Sequence, residues 1–294
     1  MMREYIIATD STADLPAEEF ERLGIEVVPM EFLVDETPYK HYADAREMSL
    51  DVFYEKIKAG AKVGTTQING YTYETAFTPI LEQGKDILYL CFSSGLSGTY
   101  QASVLATEEL SGKYPERKIV TIDTRCASVG EGLLVYLAGL KKKEGLSMDE
   151  LEAWVYENRL KVRHWFVVDD LDHLRQGGRI SAAQAILGTA LGVKPLLSVD
   201  AEGKLVNTAK LRGAKKILET FCTKIGTEGA DSASQTVVIG HAANLELAKK
   251  LEAVLLERGL IKTALIADIG PIIGSHVGAG MCALVYMSDR DLEQ

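Results

Sequence analysis

Asp86-Ile-Leu-Tyr-Leu-Cys-Phe-Ser-Ser-Gly-Leu-Ser-Gly-Thr-Tyr-Gln-Ala-Ser103 is the stretch whose reading decides the fold. Residues 87–92 form a short continuous apolar run, the pattern of a strand buried on both faces. The run ends in Ser93-Ser94-Gly95-Leu96-Ser97-Gly98-Thr99, a turn of hydroxyls and glycines. Residues 100–110 then read as a helix. Strand, hydroxyl-rich turn and helix together place unpaired N–H groups and a positive helix end at the carboxyl edge of a sheet. Such an edge favours a carboxylate or a phosphate.

The pattern recurs to either side. A strand at residues 5–9 runs into Asp10-Ser11, and one at 117–122 runs into Asp123-Thr124. In a parallel sheet, turns of this kind share one edge. Between the first and second of these units, residues 31–39 read as a hairpin turning at Asp35-Glu36, and 49–59 as a helix. The segment Lys62-Val-Gly-Thr-Thr-Gln-Ile-Asn-Gly70 has loop composition and carries Thr65 and Thr66. Ser147-Met-Asp-Glu150 fits a capping box. Past residue 162 the βα alternation gives way to a hairpin over 193–209, so two domains are expected, 1–162 and 163–294. The fold class is α/β: an N-terminal three-layer domain on a parallel sheet and a C-terminal domain with a mixed sheet. Residues 181–191 read as an apolar helix, either plain core or the wall of an apolar ligand tunnel, since Gly188 and Ala190 leave room that larger side chains would fill. Gly270-Pro-Ile-Ile-Gly-Ser-His-Val-Gly-Ala-Gly280 reads as a glycine-rich loop.

Composition excludes several classes. The 294 residues carry a net charge of −10, and no basic run exceeds Lys141-Lys142-Lys143, so nucleic acid is not an expected partner. Four dispersed cysteines, Cys91, Cys126, Cys222 and Cys282, suit reduced thiols and a cytoplasmic protein. No signal-peptide pattern is seen, and the longest apolar stretch is too short for a bilayer span. Gly95-Leu96-Ser97-Gly98 falls one glycine short of a nucleophile elbow, because Thr99 stands where glycine is needed. The P-loop and dinucleotide fingerprints fail, and the five histidines form no zinc pair. Asp169, Asp170 and Asp172 read either as a metal or acid–base cluster or as a helix cap with an acidic first turn. The helix dipole favours the cap. Gln176-Gly-Gly-Arg-Ile180 reads either as a plain turn or, through Arg179 among glycines, as a cation suited to a phosphate or an acidic partner. His276, between Gly274 and Gly278, reads as ligand-facing.

Four motifs together resemble the DegV family of bacterial fatty-acid-binding proteins. They are Asp10-Ser-Thr-Ala-Asp-Leu-Pro16, Ser93-Ser-Gly-Leu-Ser-Gly-Thr-Tyr100, Gly177-Gly-Arg-Ile180 and Gly270-Pro271 with His276-Val277-Gly278. The family includes the lipid-carrying subunit of fatty acid kinase, FakB. The resemblance implies two α/β domains enclosing an acyl chain, with its carboxylate held by Thr65 or Thr66, Ser93 or Ser94, and His276. It implies no catalysis by this chain, no metal and no cofactor besides the bound fatty acid. It also implies presentation of the acid to a separate kinase, with Arg179 and Arg212 as partner-facing candidates and transient contact with a membrane surface. Thr65-Thr66-Gln67-Ile68 keeps both hydroxyls of the family's Thr-Ser-Gln-Pro and lacks the proline. Cys126 stands where serine is frequent and is expected to alter the pocket wall. Two other classes remain open: an acyl hydrolase or acyl-phosphate enzyme using Ser93 or Ser94 with His276 as base, and a binder of some other small carboxylate or phosphate.

Overall fold

A computed structural model describes residues 3–181 and 192–293. The helix expected over 181–191, with Gly188 and Ala190, falls on residues outside the described ones.

The first half supplies strands β1 (Tyr5–Asp10), β2 (Ile25–Val28), β3 (Met30–Val34), β4 (Thr37–His41), β5 (Val63–Thr66), β6 (Asp86–Cys91) and β7 (Ile119–Asp123). Its helices are α1 (Ala17–Leu23), α2 (Leu50–Lys58), α3 (Gly70–Glu82), α4 (Thr99–Lys113), α5 (Val129–Lys143) and α6 (Met148–Asn158). The order β2-β1-β6-β7 makes a parallel sheet. All six residues of β6 are buried, as its unbroken apolar run requires. Asp10, Phe92 and Asp123-Thr124 therefore end up along one edge. A small antiparallel sheet, β4-β3-β5, lies beside it. Its hairpin turns at Asp35 and Glu36, both in the left-handed region at φ 47 and 68°.

The second half supplies β8 (Val162–Val167), α7 (Asp172–Gln176), β9 (Val193–Val199), β10 (Leu205–Arg212), α8 (Ala214–Glu228), β11 (Thr236–His241), α9 (Leu245–Glu257), β12 (Thr263–Asp268), α10 (Pro271–Val277) and β13 (Cys282–Met287). Their sheet is mixed, in the order β10-β9-β8-β13-β11-β12. Side chains alternate across β8: Phe166 joins a core shared with the parallel sheet, whereas Trp165 and Val167 join a separate core under α8 and α9.

Helix α5 lies between the two sheets, and its glycines explain how it fits. A Cβ on Gly130 would stand 1.9 Å from His164 Nε2 on β8, and one on Gly132 would stand 2.2 Å from the carbonyl of Ala13. Each glycine costs about 1 kcal/mol of helix propensity, which the close approach on both faces offsets.

Two sequence expectations are corrected. The segment over 62–70 is not all loop: Val63–Thr66 pairs antiparallel with β3, Thr65 opposite Phe32. The glycine-rich stretch after residue 270 is not a loop: Pro271 opens a helix at a position where its missing N–H costs nothing. Gly274 belongs in that helix because a side chain would meet the Tyr54 hydroxyl at 2.7 Å.

The β9–β10 hairpin docks its tip on the parallel sheet's edge. Ser93 Oγ donates to Gly203 O at 2.8 Å, and Arg125 Nη1 to Ala201 O at 2.9 Å. Gly203 sits at φ 75°, where a Cβ would lie 2.0 Å from Ser93 Oγ. Gly203→Ala is expected to cost about 1–3 kcal/mol in urea unfolding, the range for overpacking. Gly112→Ala, in open space on α4, is expected to be neutral or stabilising by up to about 1 kcal/mol.

Candidate functional site

A cavity of about 310 Å³ lies between the carboxyl edge of the parallel sheet and the inner face of the mixed sheet. Ile272, Ile273 and Val277 of α10 line it from one side, and Phe166, Ala283 and Val285 of β8 and β13 from the other. One end is polar, formed by Thr65, Thr66, Gln67, Ser97, Arg179 and His276.

These six come from both halves of the chain. Thr65 and Thr66 end β5, and His276 is the sixth residue of α10. Thr65 Oγ1 meets His276 Nε2 at 3.0 Å. Ser97 precedes Gly98, the N-cap of α4, so its hydroxyl stands at the helix mouth. Its Oγ accepts from the Thr99 N–H at 3.2 Å and meets Thr99 Oγ1 at 2.8 Å. When Thr99 donates, the Ser97 proton is free for a ligand. Gln67 folds against Gly98, where a Cβ would lie 2.3 Å from its Oε1. Arg179 is half-buried, and its Nε donates to Leu96 O at 3.2 Å.

Burial pulls the His276 imidazole down to about 4, helped by the nearby positive Arg179. The ring is neutral at pH 7. With Nε2–H donating to Thr65 Oγ1, the threonine proton is left to donate to an anion. The polar end thus offers hydroxyl donors, one of them oriented by a neutral imidazole, without burying an imidazolium.

Behind the opposite end stand three buried carboxyls: Asp10, Asp14 and Glu131. Their partners are hydroxyls and backbone N–H groups. Asp14 accepts from Ser128 Oγ at 2.6 Å and Gly270 N at 2.9 Å. Asp10 accepts from the N–H groups of Thr12 and Phe92. Thr9 Oγ1 lies 2.9 Å from Leu90 O and 3.0 Å from Glu131 Oε1. A hydroxyl has one proton to give and a carbonyl has none, so both bonds form only if Glu131 is protonated. Burial acts in the same sense, pushing Glu131 well above the usual carboxylate range and Asp14 up to about 8.

Of the residues the sequence singled out, Thr65, Thr66, His276 and Arg179 meet around one end of the cavity. Ser93 and Ser94 do not line it. The Ser93 hydroxyl is spent on Gly203, and that of exposed Ser94 on Asp123 Oδ2 at 2.6 Å. Ser97 occupies the place expected of them. Its signal was position: it stands just before a helix N-cap, whereas Ser93, two residues past the end of β6, is buried under the hairpin tip. Arg212 is exposed on the edge strand β10, away from the cavity lining. Cys126 is fully buried and points at Arg159 O, so it forms no part of the wall. Asp169 pairs with Lys194 at 2.5 Å, Asp170 accepts from the Asp172 N–H, and Asp172 opens α7. Among the described residues no group of histidine, cysteine, aspartate or glutamate is arranged to hold a metal ion. No described helix is long and apolar enough to cross a membrane.

Comparison with known proteins adds relatives to this geometry. Residues 5–289 match the family described as "Uncharacterised protein, DegV family". A DegV domain-containing protein of Clostridium perfringens is 42% identical over 288 residues, covering 98% of this chain and 99% of the relative. One from Streptococcus pyogenes is 37% identical over 286 residues, covering 97% and 99%. Among solved structures, a DegV family protein from Thermus thermophilus described by its fatty acid binding superposes with a TM-score of 0.85 at 30% identity, covering 98% of this chain and all of that one. DegV of Bacillus subtilis, described as a fatty acid binding protein, gives 0.81 at 26% identity, with coverage of 98% and 100%.

The buried acids set a pH dependence of stability. Between an ordinary value of 3.8 and the folded value of about 8, Asp14 keeps a proton in the folded chain that the unfolded chain has lost. Stability therefore falls as pH rises through that window. His41, His164 and His276, held by burial at about 4, 3 and 4, act oppositely, but only up to the unfolded histidine value of 6.5. From pH 6.5 to 8 the carboxyls set the slope. The urea midpoint is expected to fall across that interval, and a rising midpoint would contradict the assignment.

Proposed function

The chain belongs to the DegV family, and we propose that it is a carrier that encloses a long-chain fatty acid and grips its carboxylate with the hydroxyls of Thr65 and Ser97, the first of them held in place by His276. Thr66, whose hydroxyl donates to Glu31 O at a long 3.5 Å, stands beside them and would have to turn from that carbonyl to serve as a further donor. One observation carries the proposal: hydroxyl donors, one of them oriented by an imidazole, close one end of a cavity whose remaining wall is largely apolar.

The energetics divide in the same way. Each buried methylene contributes about 0.8 kcal/mol, so a sixteen-carbon tail brings on the order of 10 kcal/mol before ordering costs. The head group adds little net affinity, because its donors replace water. They fix its direction and make a buried charge tolerable.

The chain presents the acid rather than converting it. A nucleophilic serine needs a base within reach. Here Ser93 and Ser94 are bonded to Gly203 and Asp123, and His276 Nε2 faces Thr65. The chemistry that follows, formation of an acyl phosphate, falls to a separate kinase. Arg212, exposed on an edge strand, is a candidate contact for that partner, as is Arg179 beside the polar end. Four free, buried cysteines support a reducing, cytoplasmic setting.

Lipid extraction of the purified chain followed by mass spectrometry is expected to yield a long-chain fatty acid. An extract without one, together with no uptake of added palmitate or oleate, would refute the proposal. Thr65→Ala and Ser97→Ala are each expected to weaken displacement of a fluorescent fatty acid about tenfold or more, as for one lost bond to a charged group; His276→Ala, which removes the partner that orients the Thr65 hydroxyl, is expected to weaken it in the same direction.

A further inference from the structure

We infer that Asp14 is the positioning residue for His276, holding the start of the helix whose far end carries the imidazole. The inference rests on the fatty-acid reading of the cavity and adds a residue that touches neither the ligand nor His276.

Helix α10 is seven residues long, and its first turn has no side-chain cap of its own. The cap comes from 256 positions away: Asp14 Oδ1 accepts from the N–H of Gly270, the N-cap residue, at 2.9 Å. Just before it, the Tyr54 hydroxyl donates to Ile269 O at 2.7 Å. The joint leaves no slack. A Cβ on Gly270 would stand 2.1 Å from His41 Cε1 and 2.7 Å from Asp14 Oδ1. Six residues later, about 9 Å along the axis at helical rise, His276 Nε2 reaches Thr65 at 3.0 Å. A short helix transmits a rotation at one end to the other. Freeing Gly270 therefore displaces the imidazole from its threonine.

The second oxygen of Asp14 does parallel work on the opposite wall. Oδ2 accepts from Ser128 Oγ at 2.6 Å. Ser128 is the N-cap of α5 and lines the cavity. Its φ of 53° with ψ of −137° is a conformation that residues with a Cβ avoid, and it persists only where surrounding bonds over-determine it. Asp14 itself sits at φ 48°, ψ 36°, a left-handed position that aspartate tolerates better than most. One carboxyl thus fixes both the helix bearing His276 and the serine facing it across the cavity.

A merely structural aspartate would stabilise the fold without setting the state of a distant imidazole, and the test separates the two. The full chain is labelled with ¹⁵N-histidine, and the ligand-free His276 ring nitrogens are read by proton–nitrogen correlation. His276→Gln assigns the signals, and Thr65→Val marks an imidazole that has lost its partner. Asp14→Ala is expected to move the Nε2 resonance toward the Thr65→Val position and to weaken cis-parinarate binding at least fivefold. Asp14→Asn keeps an acceptor for Gly270 and gives Ser128 a donor, so it is expected to restore both readouts to within twofold of wild type. An unmoved His276 in Asp14→Ala, or an Asp14→Asn as displaced as the alanine variant, would overturn the inference. Should Asp14→Ala not fold, Ser128→Ala is expected to shift His276 in the same direction by less, and no shift would count equally against it. If the wild-type chain takes up no fatty acid, the carrier reading fails, while the ligand-free resonances still decide the role of Asp14.

Discussion

A carboxylate leaves water only where several hydrogen-bond donors replace it, and the hydrocarbon behind it leaves water gladly. Any cavity that takes both must be polar at one end and greasy along the rest. In the proposed carrier, the contact between Thr65 and His276 is where that constraint would be met. It joins residues 211 apart, one on a small edge sheet and one on a short helix from the other half. Neither half builds the polar end alone.

Bringing the halves this close has structural costs, and the sequence shows where they are met. Helix α5 carries glycines on the faces that touch β8 and the turn after β1. Between those glycines stands Glu131, fully buried, pushed by that burial well above the usual carboxylate range, and bonded to the hydroxyls of Thr9 and Thr12. The hairpin tip at Gly203 seats itself against Ser93. Hydroxyls at the sheet edge thus serve two purposes. Some stitch the halves together, and others face the cavity. Residue type does not separate the two groups, whereas position relative to the strand end and the helix cap does.

The same distinction explains what could be read from the chain before its structure. β6 was legible from its unbroken apolar run, and the Asp10-Ser11 and Asp123-Thr124 turns showed the edge that β1 and β7 share with it. His276 was legible because a histidine flanked by glycines has little to pack against. Ser97 was not separated from Ser93 and Ser94, since all three share one turn and only the helix start distinguishes them. Helix α10 was hidden by its glycines, which are there because Tyr54 and His41 press against its backbone. Strand β5 was hidden because it is short and sits at an edge. Asp14 was the least legible, for its meaning lies in a backbone N–H at position 270 that no local pattern connects to it. Long-range bonds of this kind lie beyond periodicity and motif spacing.

The direct test of the account is a crystal structure of the chain with palmitate bound. The carboxylate is expected within hydrogen-bonding distance of the Thr65 and Ser97 hydroxyls, with His276 still bonded to Thr65 and the hydrocarbon running along Ile272 and Ile273 toward Ser128. A ligand bound in the reverse direction, or one lodged outside this cavity, would contradict it.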